Sequence, residues 1–416
     1  MVEITSDYQE KYMSFLMRGL IIFCLCYLIG TLFEDAPTIL RIIQITGIVM
    51  FFWSITKIGS FSNFDSNYFK IVISLLICYH LFVVLKNYSL SDNYLKTYLR
   101  EPYYFLQFFV PLVVLLSPFF FTEIFSKYSR YLCYVFFILL PFAFIPIFNN
   151  QDFSEQFVWA CGTGAGFLLM NSIYFKRKTN ILSFLTIAGC LLISTIMARR
   201  SIMLTFFGYL VSALLIYIYT SQINLKKKIM VLLFFFFACV AGYYFFMQNQ
   251  SNLFGGITER AKEDSREVVY LFYWEDMNGK DWIWGKGMNG TYYAPYIDKE
   301  SPVKGEDEDL RQLIEGGYLQ IILKGGIVNL ALFLFLAIPA LINGIFYSNN
   351  VLSKAAGALI FLRLIDMFPW GMPAFNVGYV MFWLCVSICL NKKIRNYTDE
   401  EIEEQCFATL NKETTQ

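Results

Sequence analysis

The sequence predicts an all-α polytopic membrane protein, and three observations support this fold class. Apolar residue types make up 57% of the 416 residues and charged types only 16%, whereas soluble domains have roughly 45–50% and 25%. The apolar residues occur in blocks long enough to cross a hydrocarbon core of about 30 Å. Basic residues recur in alternate loops between these blocks. The net charge of +1 gives no general attraction for nucleic acid, so that partner class is not expected.

Twelve apolar blocks are candidate membrane-spanning helices. They cover residues 14–33, 39–56, 69–86, 103–122, 131–148, 157–175, 181–197, 201–220, 229–247, 318–347, 353–369 and 373–390. The tenth block is too long for one straight span, so we expect it to begin at the interface and to cross from about Gly326. The chain then divides into four regions. These are 1–247 with spans one to nine, 248–317 as a large external loop, 318–390 with spans ten to twelve, and a cytoplasmic tail at 391–416.

The lysine and arginine bias of short loops predicts the orientation, because cytoplasmic loops carry the excess of these residues. Basic residues lie in every second loop and in the tail: Lys57, Lys70, Lys127, Arg130, Lys176, Arg177, Lys178, Lys226, Lys227, Lys228, Lys354, Lys392, Lys393 and Arg395. The loop at 149–156 has two acids and no basic residue, as expected outside. Both termini are therefore predicted to be cytoplasmic.

One short external turn departs from this bias. Arg199 and Arg200 stand together between spans seven and eight. Arginines at helix ends commonly extend to the membrane interface, which is the ordinary explanation. The alternative, which we prefer, is an anion site that faces outward.

The segment 248–317 is the only large hydrophilic part of the chain. It holds 14 acidic and 8 basic residues and no cysteine. An amphipathic helix is expected after Gly255-Gly256, with Val268, Tyr270, Leu271 and Trp274 as its apolar stripe. A glycine- and aromatic-rich turn region follows. A loop of this length among short connections is typical of a lid or an active-site element.

Two motifs in this loop resemble ligand sites, but both have simpler explanations. Gly285-Lys286-Gly287-Met288-Asn289-Gly290 matches GxGxxG, but it lacks the strand–turn–helix context of a dinucleotide site, so a flexible turn near a substrate surface is favoured. Glu306–Asp309 could hold a divalent cation, yet such acidic runs are mostly solvated. No metal and no cofactor are expected.

Charged residues elsewhere leave two interpretations open. Arg260 and Arg266 lie among acids, where they could form ion pairs along a helix or point into a vestibule at the membrane. Arg363 and Asp366 are three residues apart within a span. They could neutralise one another or line a polar cavity.

Three stretches carry a resemblance to a known family. They are MARRSIMLTFFGYL at 197–210, DSREVVYLFYWEDMNGKDWIWGKGMNG at 264–290 and EGGYLQIILKGGIVNLALFLFL at 315–336. Together they resemble the arginine turn, the arginine–tryptophan helix with its Gly-x-Gly turn, and the re-entry of the bacterial O-antigen polymerase (Wzy) and O-antigen ligase (WaaL) superfamily. The first half of the chain resembles this family only in its number of spans.

The resemblance implies a multi-pass protein of the bacterial inner membrane. Such a protein transfers a glycan from undecaprenyl pyrophosphate to an acceptor glycan at the outer face. Its expected partners are the lipid-linked oligosaccharide, membrane lipid and a chain-length regulator. The donor is already activated, so no nucleotide is needed. Ligases of the family carry His-Asn at the re-entry, where this chain has Glu315-Gly316-Gly317, which favours a polymerase.

The same resemblance suggests roles for individual residues. Fixed cations aimed at the leaving pyrophosphate lower the barrier, and this role falls to Arg199, Arg200, Arg260 and Arg266, with Arg266 also catalytic. Glu315 is the candidate base for the attacking hydroxyl. Trp274, Trp284, Tyr292 and Tyr318 are candidate sugar contacts, although packing of the loop onto the bundle would use such residues equally well.

Three other function classes compete with a polymerase. They are a ligase, a flippase or transporter of lipid-linked oligosaccharides, and a structural or sensory membrane protein. A transporter of two halves should show an internal repeat and a cytoplasmic linker near its middle. The middle loop here is the short KRKTN at 176–180.

Overall fold

A computed structural model describes most of the chain. The described residues are 6–32, 37–61, 64, 66–89, 97–141, 151–197, 199–220, 224, 226–230, 233, 237, 266–295 and 309–407, without the side chains of residues 6, 151, 152 and 266. Most of the predicted ninth span, the start of the external loop and the acidic run at Glu306 lie outside these residues.

The described chain is built almost entirely from helices. The α-helices are α1 Ser6–Gly30, α2 Thr38–Ile58, α3 Asn67–Lys86, α4 Pro118–Leu139, α5 Gln151–Met170, α6 Arg177–Ile196, α7 Arg200–Thr220, α8 Arg266–Asp276, α9 Gly279–Trp284, α10 Gly317–Phe346, α11 Val351–Asp366, α12 Val377–Leu390, α13 Lys392–Asn396 and α14 Asp399–Ile402. A 3₁₀ helix covers Leu106–Leu115 and a shorter one Ser172–Tyr174. A π-helical turn, Glu403–Phe407, follows α14. Strands β1 Tyr292–Tyr293 and β2 Leu310–Arg311 form an antiparallel pair in the loop.

The coarse fold prediction of an all-α membrane protein agrees with this architecture. In the described part, six helices are long and apolar enough to cross a membrane, namely α1, α2, α3, α6, α7 and α10. Many of their large apolar side chains are exposed, as a lipid environment requires. The total of twelve spans, the side of the termini and the choice of membrane stay predictions.

The fourth and fifth predicted spans have the wrong bounds. In place of helices at 103–122 and 131–148, the structure has the 3₁₀ helix Leu106–Leu115 and then α4 from Pro118. Pro111 removes a backbone donor inside the first of these, and Pro118 at the start of α4 favours a new helix there. Lys127 and Arg130 therefore lie inside α4 and not in a connecting loop.

The expected break in the tenth span is confirmed. Gly326 has φ 67° and ψ −176° inside α10, a conformation that is open essentially only to glycine. A Cβ atom at Gly326 would lie 2.1 Å from the carbonyl oxygen of Ile283 in α9. The break is therefore also the point where the loop packs closely against the bundle.

The GxGxxG turn is part of this packing, which differs from the flexible surface turn that we expected. The amides of Lys286 and Gly287 donate to the carbonyls of Leu323 and Lys324, at 2.7 and 2.9 Å. A helix break leaves such carbonyls without their usual partners, and the turn supplies new ones. The amide of Met288 donates to Val83 of α3 at 3.0 Å, so the turn also joins α10 to α3.

Two ends of the bundle can be told apart by what packs on them. We call the end that carries α8, α9 and the β-strands the loop end; α1, α3, α6 and α11 end there. We call the opposite end, where α13 and α14 pack, the tail end. Large buried apolar side chains such as Phe23, Phe125 and Trp383 fill the core between the two ends.

Candidate functional site at the loop end

A cavity lies at the loop end between α1, α5, α11 and α12, and its empty space, including the part that is open to solvent, is about 640 Å³. It is lined by Phe23, Cys24, Tyr27, Pro102, Tyr103, Gln156, Trp159, Ala160, Thr163, Arg363, Trp370, Met372, Phe375, Asn376, Val377 and Gly378. We call it the aromatic cavity.

Arg363 is the charged residue in the wall of the aromatic cavity. Its guanidinium donates to Asp366 Oδ2 at 2.8 Å and to the carbonyl of Met372 at 2.9 Å. The other carboxylate oxygen of Asp366 accepts from Thr205 of α7 at 3.0 Å. Both interpretations of the Arg363–Asp366 pair therefore hold, because the two residues neutralise each other and the arginine lines a cavity.

A second ion pair lies beside the same cavity, on α5 and at the start of α7. Arg199 Nε is 3.2 Å from Glu155 Oε2, and Glu155 precedes the cavity residue Gln156. Glu155 is buried, whereas the arginine side chain is 32% exposed. Gln156 donates to the Tyr103 hydroxyl at 3.3 Å. The predicted arginine turn thus reaches the rim of the aromatic cavity through Glu155.

A second cavity shares the side chain of Tyr27 with the first. Arg41, Arg100 and Glu101 contribute its charged groups, and Arg100 Nε lies 3.3 Å from Glu101 Oε1. Burial raises the pKa of Glu101, while the positive charge of Arg100 and a hydrogen bond with Tyr27 act in the opposite direction. A carboxylate whose pKa is raised is a better proton acceptor near neutral pH than an ordinary one.

The predicted pyrophosphate ligands are only partly brought together. Arg199 lies at the rim of the aromatic cavity, and Arg200 is exposed at the first position of α7. Arg266 begins α8, where only its backbone is described, and Arg260 lies outside the described residues. Their joint role stays a prediction.

Tyr318 lies where the chain enters α10, against the end of α11 and the segment that follows it, and Glu315 stands two residues before α10. The amide of Gly317 donates to the carbonyl of Met367 at 2.8 Å. The Tyr318 hydroxyl donates to the carbonyl of Leu364 at 2.7 Å. Trp370 of the aromatic cavity lies in the same segment as Met367, so the re-entry forms part of the cavity's support.

The predicted sugar contacts in the loop lie outside the lining of the aromatic cavity. Tyr292 is fully buried, and its hydroxyl donates to the carbonyl of Leu313 at 3.3 Å; burial raises its pKa to about 12. Trp274 and Trp284 are 57% and 48% exposed on the loop. The ring of Trp274 lies against that of Trp282, with centroids 4.4 Å apart and planes tilted by 32°.

The apolar stripe predicted for α8 is wrong at three of its four positions, whereas the fourth, Tyr270, packs against the buried cluster of the loop. Val269, Tyr273 and Met277 face the bundle, whereas Val268, Leu271 and Trp274 are exposed. A shift of one position along the helix selects the alternative set, and both sets are apolar at helical spacing. The sequence pattern could not decide between them because this helix has large apolar residues on two faces.

Sequence reasoning missed the carboxylates of this site, Glu101 and Glu155. The sequence position of each could have indicated a role. Both stand at the predicted external ends of spans, where an acidic residue beside a membrane is costly unless it is paired. The aromatic wall residues Tyr27, Tyr103, Trp159 and Trp370 come from distant parts of the chain. Their convergence had no signal in the sequence.

Comparison of the chain with family models, with curated proteins and with solved structures finds no match in any of the three. In the described residues, no group of three or more His, Cys, Asp or Glu side chains could hold a metal ion.

Proposed function

We propose that this protein is a repeat-unit polymerase for a bacterial surface or exported polysaccharide. It transfers a glycan from undecaprenyl pyrophosphate to the hydroxyl of an acceptor glycan at the outer face of the inner membrane. The observation that carries the proposal is the aromatic cavity, with the Arg363–Asp366 pair in its wall and the Arg199–Glu155 pair at its rim. It lies at the predicted external end of the bundle, where a membrane-bound donor and a glycan acceptor could meet.

The proposed roles follow from the chemistry of the transfer. Negative charge develops on the departing pyrophosphate, and an arginine can stabilise it through paired hydrogen bonds. Arg199 at the rim and its neighbour Arg200 at the start of α7, with Arg266 and Arg260 from the loop, take this role. Glu315 is the base suggested by the resemblance, and Glu101 is the alternative suggested by the structure, because burial raises its pKa.

The experiment is a gel analysis of surface-glycan length in a strain that lacks the gene, with and without a plasmid copy. Loss of the long-chain ladder, with single repeat units still attached, is the expected result. Loss of all attached glycan, with long lipid-linked chains accumulating, would indicate a ligase. Repeat units held on the cytoplasmic side would indicate a flippase, and an unchanged glycan would exclude all three.

Arg199→Ala in this strain tests the site. We expect loss of the ladder at normal expression, and poor rescue by Arg199→Lys, because a lysine lacks the planar fork of the guanidinium. Removal of one such donor commonly lowers kcat by about 10²–10³. Arg200→Ala and Arg266→Ala are expected to behave likewise.

The matched control is Arg177→Ala, an exposed arginine at the first position of α6 at the tail end. It should keep the full ladder. If Arg199→Ala, Arg200→Ala and Arg266→Ala all retain wild-type glycan length, the assignment of these arginines is wrong.

A further inference from the structure

The lining of the aromatic cavity is suited to a particular kind of ligand. Four of the aromatic residues that line it are only half-buried: Tyr27, Tyr103, Trp159 and Trp370. Large aromatic residues in a protein core are normally covered completely by their neighbours. These rings come from α1, the segment before the 3₁₀ helix, α5 and the segment after α11.

Amide groups in the same wall provide hydrogen bonds of both kinds. Gln156 donates to the Tyr103 hydroxyl, which leaves its amide oxygen as an acceptor. Asn376 Oδ1 accepts from the amide of Tyr379 at 2.9 Å, which fixes the orientation of its side chain and leaves the amide nitrogen as a donor. A few polar groups placed among apolar and aromatic surfaces give a pocket its orientation and specificity.

The charge in the wall of the aromatic cavity is paired within the protein. Arg363 pairs with Asp366 at an N–O distance of 2.8 Å, and both side chains are largely buried. A polyanion inside the cavity would have to compete with Asp366 for this guanidinium, whereas Arg199 at the rim is 32% exposed. A neutral ligand rich in hydroxyls can bond to the paired groups without such competition. The cavity is therefore better suited to a neutral ring than to the pyrophosphate.

We propose that the aromatic cavity is a subsite for a pyranose ring. Trp159 and Trp370 supply faces for the C–H surface of the sugar, and Gln156 and Asn376 bond its hydroxyls. A pyranose combines an apolar ring face with a polar edge, which matches the alternation of aromatic and amide groups in this wall. The proposal rests on the proposed function in taking a glycan as the substrate. It places the sugar here, and not on Trp274 or Trp284 of the loop.

The test measures binding without turnover. The full-length protein in lipid nanodiscs is titrated with the methyl pyranosides of glucose, galactose, rhamnose, N-acetylglucosamine and N-acetylgalactosamine, and the rise in Tm is followed, since a ligand that binds only the folded state stabilises it. Sorbitol, which has hydroxyls but no ring, and inorganic pyrophosphate are the comparison ligands. We expect at least one pyranoside to raise Tm in a saturable way, sorbitol to have no effect, and pyrophosphate not to compete.

Variants assign the binding to the cavity. Trp159→Leu and Trp370→Leu keep apolar volume but lose the planar face, so the apparent Kd should rise about tenfold. Trp159→Tyr and Trp370→Tyr keep a planar ring, so the apparent Kd should rise about threefold or less. Trp53→Leu, at an exposed position on α2 outside the cavity lining, is the matched control and should leave Kd unchanged. Trp284→Leu tests the competing site on the loop. Each Kd is measured against the variant's own ligand-free Tm, so a loss of stability does not obscure the result.

Three outcomes would overturn the proposal: no pyranoside raises Tm, pyrophosphate displaces the pyranoside, or Trp284→Leu weakens binding while the cavity variants do not. The proposed function fails separately, by an unchanged glycan in the gene-deletion strain. If pyranoside binding depends on Trp159 and Trp370 but deletion of the gene does not change glycan length, the pyranose subsite is supported and the polymerase function is contradicted.

Discussion

The loop end and the tail end of the bundle both contain buried or half-buried polar groups, but they use them differently. At the tail end, the Asp399 carboxylate accepts from the Tyr174 hydroxyl and, at 2.8 Å, from the amide of Val351. Asn350 donates to the carbonyls of Ile394 and Tyr397, at 2.7 and 3.0 Å. These bonds join the tail to the beginning of α11.

At the loop end, the polar groups border open volume. Arg363 donates hydrogen bonds to Asp366 and Met372 and also lines the aromatic cavity. Glu155 forms an ion pair with Arg199 at the rim. A polar group that is enclosed by its own protein contributes to stability, whereas one that faces a cavity can also contribute to binding. Substitutions of the polar residues at the tail end should therefore change stability alone. Substitutions of those at the loop end should change both stability and function.

The largest expected effect is that of Arg363→Ala. The substitution leaves the buried Asp366 without its counter-ion, and breaking such a pair commonly costs about 3–5 kcal/mol. It also removes the cationic group from the cavity wall. We expect a large fall in Tm together with loss of polymer.

A double variant, Arg363→Met with Asp366→Leu, separates the two effects. Replacement of both partners by apolar groups is often neutral for stability, so Tm should recover towards the wild-type value while the polymer stays absent. Recovery of the polymer in the double variant would show that Arg363 acts only through stability.

The next effect concerns the contact between the loop and the bundle. In Gly326→Ala, the backbone must either strain or change, because φ is +67° and the new Cβ would meet the carbonyl of Ile283. A residue other than glycine in such a conformation costs about 1–3 kcal/mol. Protease cleavage within 266–295 should become faster as the loop separates from α10, and polymer length should fall.

Gly279→Ala is the control for this substitution. Gly279 begins α9 in the same loop, and a Cβ at that position has no heavy atom within 4 Å. Its cleavage rate and its polymer should match the wild type. Equal protection of the loop in both variants would contradict a role for the α10 break in holding the loop.

These residues show how much of the molecule could be predicted from the sequence. The break at Gly326 was predictable, because an apolar block of 30 residues exceeds one membrane crossing and glycines stand near its start. The bounds of the fourth and fifth spans were not, because the effects of Pro111 and Pro118 are local and the apolar pattern runs through both. The aromatic cavity was not predictable either, because its walls come from residues that are more than 300 positions apart, such as Tyr27 and Trp370.

A smaller effect is expected at the tail end. Asp399→Asn keeps the shape of the side chain but removes the charge that accepts from Tyr174 and Val351, and a hydrogen bond to a charged group contributes about 1.5–3 kcal/mol. Tm should fall, while polymer length at a permissive temperature should stay at the wild-type value. Glu404→Gln, at an exposed position of the π-helical turn that follows α14, should change neither. A loss of polymer in folded Asp399→Asn would contradict the division of roles between the two ends.

The smallest effect is a dependence of stability on pH that originates at the loop end. Burial raises the pKa of Glu101 above its ordinary value of 4.5, so the folded state binds more protons than the unfolded state between these two pKa values. The free energy of unfolding should therefore fall as pH rises through this window and stay constant above it. A glutamine at position 101 cannot ionise, so the unfolding free energy of Glu101→Gln should not show this decrease.

Denaturant titrations at several pH values from about 4 upward measure the difference between the wild type and Glu101→Gln. Glu267→Gln, at an exposed position on α8, is the control. If wild type and Glu101→Gln show parallel pH profiles, Glu101 is not held in a buried, proton-binding environment, and its candidacy as the base fails with it.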